Sequence, residues 1–87
     1  RGDAGRGQAL ALASAYMEEL RARDISTIAS EALATVDSLG AVSGTGRFQR
    51  QVIVSNDAVN LLRVTVQVTP PGAAQPVSLL TLFYRRT

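Results

Sequence analysis

The chain predicts an α+β fold, one amphipathic helix followed by an antiparallel meander sheet of three to four strands. Three observations point there. Residues 8–23 place their apolar side chains at helical spacing, the second half switches to alternation of period two, and the connections between the alternating runs are too short for parallel strands. Eighty-seven residues hold a single core. A sheet with one apolar face needs a cover, and the helix is the element available to supply it.

The chain opens with RGDAGRG, three glycines in seven positions. Each costs about 1 kcal/mol against alanine in a helix, so residues 1–7 are expected to be flexible. A phosphate-binding loop would need a preceding strand and a Gly-Lys-Ser/Thr ending, and neither is present. The Arg-Gly-Asp triplet is what a polar terminus produces by chance.

Residues 8–23, QALALASAYMEELRAR, form the predicted helix. Ala9, Leu12, Ala13, Tyr16, Met17 and Leu20 fall at i, i+3, i+4, i+7, i+8 and i+11 and make one apolar stripe. Opposite it, Glu18 can pair with Arg21 and Glu19 with Arg23, acid before base, with the arginines at the negative end of the helix dipole. A helix this short is marginal alone in water and must dock.

Residues 24–46 read as a connecting segment with a second short helix in it. Ile25, Ile28, Ala29, Ala32, Leu33 and Val36 are near helical spacing, Asp24 or Ser26 is available as N-cap, and Gly40 as a stop. The composition of residues 40–46, GAVSGTG, is that of a flexible connector.

Three strand-like runs occupy residues 47–87. In RFQRQVIVS, Phe48, Val52 and Val54 face one way, and Gln49, Gln51 and Ile53 the other. In VNLLRVTVQVT, Leu62, Val64, Val66 and Val68 alternate with Arg63, Thr65, Gln67 and Thr69, one face core and one wet. In PVSLLTLFYRR, Val77, Leu79, Thr81 and Phe83 alternate with Leu80, Leu82 and Tyr84, the pattern of a strand covered on both faces for part of its length. Asn56-Asp57 is the expected first turn, and TPPGAAQP, residues 69–76, the second.

Composition removes most chemistry. All nine basic residues are arginine, and Lys, His, Cys and Trp are absent. Thiolate and imidazole ligands, nucleophiles paired with histidine, and disulfides are therefore excluded. Glu18 and Glu19 are neighbours about 100° apart on a helix and cannot converge as a catalytic pair. Asp57 with Asn56 is too small an oxygen set for a hard cation. The net charge is only +2, which argues against nucleic acid as a partner.

The stretches QALALASAYMEELRAR, LLRVTVQVT and VSLLTLFYRR, in the order helix, loop, strands, resemble the soluble head of a type IV pilin-like protein. The nearest likeness is to the PilV-like minor pilins and the I-type minor pseudopilins of type II secretion. The resemblance implies a pilin-like α+β head and a structural role without enzymatic activity or cofactor. It implies packing with other pilin-like subunits in a pilus or pseudopilus, at assembly initiation or the tip. It also implies an inner-membrane protein with an outward-facing head, held by an apolar helical half that would precede Arg1, so that the chain as given is expected to be soluble.

The candidate contact positions follow from the residues. Ala11, Ser14, Ala15 and Glu18 lie off the apolar stripe, where small side chains admit another helix or simply face solvent. Pro70, Pro71 and Gly72 are on an exposed loop. Arg47, Arg50, Arg63, Arg85 and Arg86 could gather on one side of the sheet and make the chain a small DNA- or polyanion-binding module, the alternative function. A third reading is an accessory domain of an enzyme whose active residues lie on another chain.

Overall fold

A computed structural model describes residues 2–72 and 75–84, without the side chains of residues 2–4. Helix α1 (Gly2–Arg21) is followed by a 3-10 turn (Ile25–Thr27) and strands β1 (Glu31–Val36), β2 (Phe48–Ala58), β3 (Leu61–Thr69) and β4 (Val77–Tyr84). The strands form one antiparallel sheet in the order β1-β2-β3-β4, so the expected meander is present with four strands. Among the described residues no helix is long and apolar enough to cross a membrane.

Helix α1 lies across β3 and β4. Of the predicted stripe, Ala9, Ala13, Tyr16, Met17 and Leu20 are buried and Leu12 half-buried. Each large member contributes about 1.5–3 kcal/mol by leaving water. The sheet answers with Phe48 and Val52 from β2, Leu62, Val64, Val66 and Val68 from β3, and Val77 from β4. The register is continuous, Val52↔Val66↔Leu79 and Val54↔Val64↔Thr81, so each period-two face predicted from the sequence is one face of the real sheet.

The helix starts earlier than residue 8. Gly5 sits against Pro70, and a methyl group there would meet the Pro70 ring at 3.2 Å. The loop after β3 thus covers the first turns, and the helical path continues through glycines that alone would fray. At the other end Glu18 pairs with Arg21 at 3.7 Å and Glu19 with Arg23 at 2.9 Å, as the acid-before-base spacing required. Asp24 then leaves helical geometry and caps the 3-10 turn, its side chain accepting from the Ser26 amide at 3.0 Å.

The second helix expected in residues 24–46 is replaced by that turn and by β1. Within the apparent helical pattern only Ile28 and Val36 are buried, so a docked helix did not write the spacing. Asp37 decides the local geometry. Its Oδ1 accepts from the amides of Leu39 at 2.9 Å and Ala41 at 3.0 Å, which builds a turn where a helix would need those amides elsewhere. Gly40 takes φ 91 inside this turn. The stretch expected as a flexible connector is therefore tied down: the Ser43 amide donates to the Thr35 carbonyl, Thr35 Oγ1 donates to the Ser43 carbonyl at 2.7 Å, and Gly46 packs so closely on the Val36 backbone that no Cβ fits. The turn between β2 and β3 is Val59-Asn60, since Asn56 and Asp57 remain in β2.

Candidate functional site

Tyr16, projecting from α1 toward β1 and β2, gathers charged side chains at the edge of the core. Its phenol donates to the Glu31 carboxylate, 2.8 Å from Oε1 and 2.7 Å from Oε2. The Arg50 guanidinium lies over its ring, 3.7 Å from the centroid, and Arg23 stands 5.7 Å away. Arg50 also donates to the Gly40 carbonyl at 3.1 Å and approaches Glu31 at 3.9 Å, while Arg23 approaches Glu31 at 3.7 Å. Only 11% of the Arg50 side chain is exposed.

Burial first, then the hydrogen bond to Glu31 and its charge, raise the Tyr16 phenol above its ordinary value, against the smaller opposing pulls of Arg50 and Arg23. The Arg23 guanidinium is raised too, by attraction to Tyr16 first and by its hydrogen bond to Glu19 next. The cavity beside the cluster, between Leu12, Ala15, Val36 and Arg50, is about 70 Å³. Small-molecule sites start near 300 Å³, so this one holds water at most. Among the described residues no buried side-chain polar atom is left unpaired and no group of three potential metal ligands converges. The cluster is a clamp joining helix, β1 and β2.

The strand arginines among the described residues do not share a surface. Arg50 lies on the helix side of β2, whereas Arg63 pairs in register with Ser55 and Leu82 on the open face and binds Asp57 at 2.6 Å. Arg47 is exposed just before β2, and Arg85 and Arg86 lie outside the described residues. Arg50 was legible as an exception, because the alternation placing Phe48, Val52 and Val54 on the core face puts Arg50 there too. Glu31 was hidden by the helical reading of its segment.

No protein-family model, curated protein or solved structure matches this chain.

What remains exposed is therefore the guide to function. Ala11, Ser14, Ala15 and Glu18 are all exposed: Ala11 and Glu18 lie opposite the buried stripe, Ser14 toward the β4 flank, and Ala15 toward β1 and β2, at the rim of the small cavity. Pro71 and Gly72 are exposed too, but Pro70 is buried against Gly5 and belongs to the packing of the head, not to a free contact surface. The outer face of the sheet shows apolar side chains that the sequence expected to be partly covered: Leu80 is 56%, Leu82 41% and Tyr84 74% exposed. Ile53 joins them across Thr65 in the row Ile53↔Thr65↔Leu80. A second cleft, about 340 Å³, runs between Arg21 and Arg23 on one side and Thr81 to Tyr84 on the other.

Proposed function

We propose that this chain is the head of a minor pilin or minor pseudopilin, a structural subunit that packs with other pilin-like subunits in a type IV pilus or a type II secretion pseudopilus. In this reading it acts in assembly initiation or at the tip, carries out no reaction, and faces outward from a bacterial inner membrane. The observation that carries the reading is the division of α1. One side is buried on the molecule's own sheet, while the rest of its surface presents Ala11 and Glu18, flanked by Ser14 and Ala15, to solvent. Small side chains there let a neighbouring helix approach closely, which is how a helical fibre core is packed.

The test mixes the chain with soluble heads of minor subunits encoded beside it and measures association by sedimentation. Ala15→Arg is expected to weaken association at least tenfold while leaving the melting curve in place, because Ala15 is exposed. Unchanged association would remove the proposed face. The polyanion alternative has less to stand on, since Arg50 and Arg63 are on opposite faces of the sheet and both are engaged by acceptors of this chain.

A further inference from the structure

The two edges of the sheet are built differently. β1 has six residues, breaks register between Glu31 and Ala34, and carries a carboxylate, all features that discourage an added strand. β4 has eight residues without charge, proline or bulge, paired with β3 in unbroken register from Val77 to Tyr84. No described strand covers its outer edge. Three apolar side chains on its open face, Leu80, Leu82 and Tyr84, are exposed.

Among the described residues, the helix flank beside this edge is also uncovered. Leu12, Ala15 and Glu19 line the cavity toward β1 and β2, whereas Arg21 lines the cleft along β4. Leu10 and Ser14, eleven and seven residues before Arg21, fall on the same β4 flank of α1, and both are exposed.

We propose that β4 pairs antiparallel with β4 of a second copy of this chain, joining two sheets into one of eight strands. Residues facing each other in an antiparallel pair share a face, so the two-fold axis must fall on a residue of β4. At Thr81 it sets Leu80 against Leu82 on the open face and Leu79 against Phe83 on the helix face. Apolar meets apolar on both sides.

The geometry of the second layer agrees. Strands are about 4.8 Å apart, so a helix lying over β3 and β4 stands about 5 Å from the axis and the two helices about 10 Å from each other, the usual distance of packed helices. Eight residues of strand span about 26 Å. The molecule measures 21 and 18 Å in its shorter dimensions, so each copy offers about 500 Å², or about 1,000 Å² for the pair, the lower bound of a specific interface.

An acidic extended peptide is the competing occupant of the cleft. Arg21 and Arg23 already face Glu18, Glu19 and Glu31, however, so their charge is answered within the chain and the neutral β4 edge is the stronger feature.

Sedimentation from about 5 μM to about 1 mM is expected to show a monomer passing to a dimer, the weak range suited to an interface of this size. Leu82→Glu, on an exposed side chain opposite Arg63, should weaken dimerisation at least tenfold without lowering the melting curve. The chain has no cysteine, so single cysteines at Leu80 or Thr81 report the axis: one of them should oxidise to a covalent dimer much faster than a cysteine at the exposed Ser55 of β2. A chain that stays monomeric throughout, a Leu82→Glu variant that dimerises normally, or cross-linking no faster than at Ser55 would each overturn the proposal. So would protection of β4 amides by an added acidic peptide with no dimer formed. The interface does not depend on the pilin-like reading, and Ala15→Arg, on the other flank of α1, should leave it intact.

Discussion

Tyr16 does two jobs with one side chain, because its ring fills core space while its hydroxyl holds the Glu31 carboxylate. A hydrogen bond to a charged acceptor is worth about 1.5–3 kcal/mol, and removal of the donor leaves Glu31 with the longer contacts to Arg23 and Arg50 among the described residues. Tyr16→Phe should therefore cost about 1.5–2 kcal/mol near neutral pH. The cost should depend on pH in a definite direction. The folded state raises the phenol, so it holds the proton more tightly than the unfolded chain does. That contribution is complete below the ordinary value of about 10 and is lost as pH climbs from there through the raised folded value. Urea unfolding of both proteins from about pH 8 to about pH 11 should show the gap between them closing at the alkaline end. Tyr84 is common to both and cancels. A gap that stays constant would mean that the folded state does not hold the phenol proton more tightly.

At the scale of the element, α1 shows how tertiary contact overrides propensity. Gly7 has no atom within 4 Å of where a methyl would go, whereas at Gly5 the methyl would meet Pro70 at 3.2 Å. Gly7→Ala should therefore raise stability by about 0.5–1 kcal/mol, read as a higher urea midpoint at unchanged slope. Gly5→Ala should gain less or lose, because the Pro70 ring must give way. Equal gains at both positions would show that the start of α1 does not dock under the β3–β4 loop. The same contact explains why the start of the helix was not legible in the sequence: glycine count is local, but Pro70 is 65 residues away. The stripe from Ala9 to Leu20 and the alternation in β2, β3 and β4 were legible, because each element buries one face and burial imposes its period on the residues. β1 was not. At an edge with little of it buried, its residues carry no period, and the turn chemistry of Asp37 fixes it instead. Arg50 was legible in position and misread in role, since a cation on a core face implies an aromatic or carboxylate partner more than a surface.

At the scale of the molecule, the order β1-β2-β3-β4 makes stability uneven in a way amide exchange can measure. β3 is paired on both sides along its length and buries Leu62, Val64, Val66 and Val68 under the helix. Its amides can open only when the sheet comes apart, so they should report the global free energy, about 4–13 kcal/mol for a domain of this length. β1 is paired on one side, its register is broken, and of its six residues only Val36 is buried. It can peel away while α1, β2, β3 and β4 keep their shared core. The Glu31 link to Tyr16 and the Asp37 turn resist that, so opening still has a cost, but it should be several kcal/mol below the global value. Native-state exchange in dilute protein should then rank β3 and the β3-facing amides of β2 slowest, β4 intermediate and β1 fastest among the strands. Tyr16→Phe should lower protection in β1 by more than it lowers protection in β3, because it cuts the hydrogen bonding of the helix to Glu31 of β1. Equal protection in β1 and β3 would instead describe a molecule that opens only as a whole, with its edge strand as firmly held as its centre.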